Sequence, residues 1–139
     1  MEKIDFGKYK WDGKTILIAE DTATSNKYFR AALKHTSLNI IWTENGRDAV
    51  NGVINHPELD VVLMDIQMPL MNGIDATRAI KSLKPMLPVI IQTAFLYSNE
   101  EELSREAGCD EFLAKPVKLN VLFEVLDKYL NQTGQGPQD

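Results

Sequence analysis

Residues 60–75 read DVVLMDIQMPLMNGID, an apolar run that halts at a carboxylate and then opens into a turn. The run DVVLM (60–64) shows no polar alternation, the pattern of a strand covered on both faces, as in a parallel sheet. Asp65 ends it, and Asn72–Gly73 supply turn chemistry ahead of a helical segment. Gly73 is expected to permit the turn that opens that helix.

Outward from this stretch the same pattern recurs. TILIA (15–19), LPVIIQ (87–92) and EFLA (111–114) are short apolar runs bounded by polar or turn residues, and NIIWT (39–43) is a weaker fifth. The intervening segments carry helical spacing. Residues 25–34 group Tyr28, Phe29, Ala32 and Leu33; 46–54 group Ala49, Val50, Val53 and Ile54; 74–83 group Ile74, Ala79, Ile80 and Leu83. Residues 99–107 form a short charged helix, and 118–130 carry Leu119, Leu122, Phe123, Val125, Leu126 and Leu130. Strand–helix alternation of this kind predicts an α/β fold with right-handed crossovers, a parallel sheet and helices on both faces.

The chain has 139 residues, enough for one domain with one core. That domain is expected over 14–130. Residues 1–13 are a linker or an arm packed on the core, their aromatics Phe6, Tyr9 and Trp11 leaving both open, and 131–139 are a flexible polar tail. A net charge of −5 argues against nucleic-acid binding, which wants a basic face. The lone Cys109 excludes an internal disulfide and fits packing better than redox chemistry. No apolar run approaches the ~20 residues of a membrane span, and the N-terminal segment lacks a signal-peptide core. A cytoplasmic setting without direct membrane contact is the default expectation.

In open parallel sheets, ligands bind beyond the carboxyl ends of the strands. There this sequence places Glu20–Asp21 after the first strand, Asp65 after the third, Gln92–Thr93 on the fourth and Lys115–Pro116 after the last. Each alone is a weak signal; together they form a constellation. Three clustered carboxylates repel unless a cation intervenes, and an oxygen-only donor set favours Mg²⁺. With the metal present, one aspartate can act as an oxygen nucleophile toward a phosphoryl group, Lys115 can offset charge on its equatorial oxygens, and Thr93 can donate a hydrogen bond to the product.

The strings ILIAED, DVVLMDIQMPLMNGID, VIIQTA and AGCDEFLAKPV resemble a response-regulator receiver domain over about residues 14–130. The resemblance implies a flavodoxin-like (βα)5 sandwich with strand order 2-1-3-4-5. It implies that Asp65 takes a phosphoryl group from a phosphohistidine on a histidine kinase or histidine phosphotransfer domain. It also implies that Asp21, Asp65 and the Gln67 carbonyl ligate Mg²⁺, with Glu20 assisting directly or through water. Thr93 and Lys115 would contact the phosphoryl group, Phe112 would be the switch aromatic, and Lys115–Pro116 would be a cis peptide. Gln67 and Phe95 fall where the family tunes hydrolysis of the acyl phosphate, and a bulky Phe95 implies slow autodephosphorylation. The Glu–Asp pair and the aromatic lead-in resemble receivers of hybrid sensor histidine kinases. The family implies a phosphoacceptor signalling domain rather than an enzyme, any kinase activity lying in a fused or separate chain, and leaves a phosphorylation-dependent homodimer open.

Two other classes compete. An Mg-dependent aspartate-nucleophile phosphohydrolase of the haloacid-dehalogenase kind wants a second Asp two residues after the nucleophile, where this chain has Gln67. A flavodoxin-like electron carrier wants a phosphate-cradling loop after the first strand, where the acidic pair Glu20–Asp21 would repel the anion.

Overall fold

The computed structural model describes residues 6–94 and 99–131. Five parallel strands, β1 (Thr15–Ala19), β2 (Asn39–Thr43), β3 (Val61–Asp65), β4 (Val89–Thr93) and β5 (Glu111–Ala114), lie in the order β2-β1-β3-β4-β5. Five helices alternate with them: α1 (Ala23–Leu33), α2 (Gly46–Asn55), α3 (Gly73–Leu83), α4 (Glu100–Glu106) and α5 (Leu119–Leu130). This is the flavodoxin-like sandwich expected from the sequence.

The three central strands are buried at every position, which explains their unbroken apolar runs. Strand β2 sits at the edge and is only half-buried, which accounts for its weaker signal. Because successive side chains alternate across a strand, the sheet divides the core in two. Leu17, Val62, Met64, Ile91, Ala49, Val53, Ala76 and Ile80 fill the side covered by α2 and α3. Ile16, Ile18, Val61, Leu63, Ile90, Phe29, Leu33, Leu122, Phe123 and Leu126 fill the side covered by α1 and α5.

The helix faces differ in detail from those read off the sequence. Ile54 and Leu83 are 55% and 53% exposed, whereas Ala76 and Thr77 are buried. The buried stripes of α2 and α3 centre on small residues that let the helices approach the sheet, and the bulky members at the helix ends overhang it. Tyr28 is also largely exposed, although its hydroxyl donates to the Val117 carbonyl at 2.9 Å.

Asn45 and Asn72 accept from the backbone N–H of Asp48 and Asp75, capping α2 and α3. Ahead of β1, Trp11 is 1% exposed, donates its indole N–H to Asp127 at 2.9 Å and packs at a tilt against Tyr9 and Phe123, which meet edge to face.

Candidate functional site

Five loops converge at the carboxyl edge of the sheet, and the register of the strands decides which side chains meet. Asp65 pairs with Gln92, and Thr93 with Ala114, so the ends of β3, β4 and β5 are level. Glu20 follows β1 directly, its backbone N–H bonded to the Thr43 carbonyl at 3.0 Å. The carboxylates of Glu20, Asp21 and Asp65 offer ligand atoms all within 4.8 Å of one another.

Glu20 is fully buried and Asp65 is 4% exposed, whereas Asp21 faces solvent. Lys115 reaches between the two buried groups, its ammonium 2.7 Å from Glu20 Oε1 and 3.2 Å from Asp65 Oδ2. Burial, and then the charge of Glu20, push the Asp65 carboxyl up to about 6, with Lys115 opposing them. Burial also disfavours the Lys115 charge, but its hydrogen bond to Glu20 and the charges of Asp65 and Glu20 outweigh this and raise its pKa. The site thus holds two buried carboxylates against one ammonium, an excess of negative charge open to a cation on the Asp21 side. Three oxygen donors at this spacing suit a hard, oxygen-seeking ion.

The backbone around Asp65 is fixed by α3. Gly73 donates its N–H to the Ile66 carbonyl at 2.9 Å, and a Cβ there would lie 2.0 Å from the Asp65 carbonyl oxygen. Gly73 is therefore required by close approach rather than by the turn conformation expected from sequence. It is Leu70 that adopts a positive φ in this loop, at 69°.

Thr93 is buried at the end of β4, and its carbonyl accepts from the Lys115 N–H at 2.8 Å. Phe112 is half-buried against the α2–α3 side of the core, two residues before the position paired with Thr93, so the two share a sheet face. Gln67 is exposed in the loop after β3, and the Lys115–Pro116 bond is cis. Phe95 lies outside the described residues.

Residues 16–127 match the family model of the response regulator receiver domain. The chain belongs to that family. Receivers are the phosphorylated signalling domains of two-component systems, and the acidic cluster at Glu20, Asp21 and Asp65 is compatible with magnesium and a phosphoacceptor aspartate. The polar-differentiation response regulator DivK of Brucella anthropi is 33% identical over 119 residues, 84% of this chain and 96% of that protein. The receiver domain of a Pseudomonas aeruginosa PAO1 sensor histidine kinase superposes with a TM-score of 0.77 at 28% identity, over 85% of this chain and 98% of that one. It carries a magnesium ion coordinated in its active site cleft. CheY in the CheX–CheY–BeF3–Mg complex of Borrelia burgdorferi gives a TM-score of 0.76 at 26% identity, over 83% of this chain and 87% of that one.

Two polar partners of this receiver's site escape sequence reasoning. The Gln92 amide donates to Glu20 Oε1 at 3.4 Å, and Asn26 donates from α1 to the Glu20 carbonyl at 3.0 Å. Gln92 was visible only as a strand end; that it sits level with Asp65 follows from the register. Among the described residues no helix is long and apolar enough to cross a membrane.

Proposed function

We propose that Asp65 accepts a phosphoryl group from a phosphohistidine and that the resulting acyl phosphate switches the contacts of this receiver with partner proteins. The observation that carries this is the buried Asp65 carboxylate, held beside Lys115 in a cluster whose negative charge exceeds its positive. An Asp65 oxygen forms the new P–O bond as the donor's P–N bond breaks and imidazole leaves. With a pKa of about 6, Asp65 is mostly ionised at neutral pH and so available as the nucleophile.

Asp21, Asp65 and the Gln67 carbonyl would hold Mg²⁺, with Glu20 assisting, and the ion would supply charge neutralisation on the phosphoryl oxygens. Lys115 releases its contact with Asp65 to meet the incoming phosphoryl group while keeping Glu20, its shorter partner. The Thr93 hydroxyl donates to the phosphoryl group, and its movement frees space on the face it shares with Phe112, which turns inward. Gln67 and Phe95, two residues after Asp65 and Thr93 in the sequence, tune the lifetime of the acyl phosphate. The Glu20–Asp21 pair and the likeness to a sensor-kinase receiver support a donor that is a histidine kinase or its phosphotransfer domain.

Incubation with acetyl phosphate and Mg²⁺ followed by mass spectrometry tests the assignment. One adduct of about 80 Da, the mass of a phosphoryl group, is expected, lost in Asp65→Asn and in EDTA. An adduct that survives Asp65→Asn would place the phosphoacceptor elsewhere.

A further inference from the structure

A groove of about 440 Å³ runs along the outer edge of the sheet between α1 and β2, remote from the buried carboxylates. Its rim is the cationic stripe Lys27, Arg30 and Lys34, spaced three and four residues apart and so on one face of α1. Its floor is apolar: Leu38, Ile40 and Trp42, all only half-buried. Among the described residues no acidic side chain lines it.

Several features separate this groove from an ordinary solvated helix face. The chain carries a net charge of −5, so a stripe of three cations without an interspersed acid runs against its composition. Among the described residues, no carboxylate forms an ion pair with any of the three. Arg30 lies with its guanidinium carbon 4.5 Å from the centre of the Trp42 ring. A cation–π contact of that kind holds the guanidinium over the ring, and its N–H groups can still donate to a carboxylate through two hydrogen bonds. Among the described residues, strand β2 has only β1 as a strand neighbour, so its other edge carries main-chain donors and acceptors that the sheet does not pair.

We propose that this groove docks an acidic, extended segment of a partner protein. The segment lies along the open edge of β2, sets alternate apolar side chains on Leu38, Ile40 and Trp42, and directs carboxylates to Lys27, Arg30 and Lys34. Main-chain pairing at the edge supplies affinity, and the cations select for charge. A nucleic acid fits less well, because the floor is aliphatic over most of its length and the rest of the surface is acidic. The α1 residues nearest the phosphoacceptor side, Thr24, Ser25 and Tyr28, line a different cavity, so docking here leaves Asp65 accessible.

The probe is a fluorescein-labelled peptide of about ten residues alternating Glu and Val, long enough for one strand, followed by anisotropy. Saturable binding that weakens with added salt is expected. The combined Lys27→Glu, Arg30→Glu and Lys34→Glu substitution is expected to weaken it at least tenfold, the sum of a few surface ion pairs of about 0.5 kcal/mol each. Uptake of phosphate from acetyl phosphate reports that the variant is folded. The milder pair Lys27→Gln and Lys34→Gln gives a smaller loss and serves if charge reversal prevents folding. Occupancy is also expected to change Trp42 emission. The proposal is overturned by any of four results: no saturable binding, equal affinity in the charge-reversed protein, equal binding of a Lys–Val peptide, or tighter binding of a thymidine oligonucleotide. Self-association of the peptide-free protein that charge reversal abolishes would likewise overturn it, assigning the groove to a second copy of the chain.

Discussion

Both ends of the sheet are lined with carboxylates, and they are used in opposite ways. At the amino end, Asp60 precedes β3 and accepts from the first N–H of β1, that of Thr15, at 2.8 Å. Asp110 precedes β5 and accepts from the first N–H of β4, that of Val89, at 2.9 Å, while pairing with Lys81 at 2.8 Å. The arrangement is the same twice over: a carboxylate ahead of one strand caps the start of its neighbour. At the carboxyl end, Glu20 and Asp65 are buried side by side with one ammonium between them. At the amino end Asp60 and Asp110 each hold the first N–H of a neighbouring strand and so stabilise the sheet. The other end leaves carboxylates opposing each other and holds that tension for chemistry. What distinguishes the carboxyl-end cluster is a deficit of positive charge, two buried carboxylates against one ammonium, rather than the residue types.

Deepening that deficit should give the largest effect. Lys115→Met leaves Glu20 and Asp65 facing one another without a counter-charge, and is expected to cost about 3–5 kcal/mol at pH 7 in EDTA. Denaturant titration checks this, and the loss should shrink on adding Mg²⁺. An unchanged midpoint would mean that the ammonium is not what holds the two carboxylates together. At the other end, Asp110→Ala strips the acceptor from a buried N–H and the partner from Lys81, with an expected loss of about 2 kcal/mol. Phosphoryl uptake by the folded fraction should be untouched. Asp60→Ala removes a single cap and should cost about 1 kcal/mol.

The smallest effect is a pH dependence. The folded pKa of Asp65, about 6, lies above its ordinary 3.8. The folded state therefore binds the proton more tightly, and its stability is lost as pH rises through about 6. The metal-free protein should gain about 1 kcal/mol between pH 7 and pH 5. Thermal melts in EDTA measure the gain, which Asp65→Asn should abolish. At the amino end, burial pushes the Cys109 thiol up to about 11, so its reaction with iodoacetamide should remain slow at pH 8 in the folded protein.

Sequence reading recovered the sheet because buried strands betray themselves as unbroken apolar runs, and it recovered the carboxyl edge because strand ends carry Glu20, Asp65, Thr93 and Lys115. The strand order came from resemblance, since no periodicity encodes which strands are neighbours. The caps at Asp60 and Asp110 were not legible. Each is one acidic residue before an apolar run, and its partner lies 45 or 21 positions away. The packing of Trp11 against α5 was equally hidden: an aromatic ahead of the first strand reads the same in a loose lead-in as in a core. The exposed Ile54 and Leu83 show the converse, as spacing marks a helix face but not where the sheet beneath it stops.

Gly73 sets a tolerance on the whole loop after β3. Any side chain there would collide with the Asp65 carbonyl, and relieving the clash would move helix and strand end apart. The position of the Asp65 carboxylate is thus determined partly by a carbon atom that is missing. A designer grafting this loop onto another parallel sheet would have to transplant that gap along with the acid, or the carboxylate would arrive out of reach of the Lys115 ammonium.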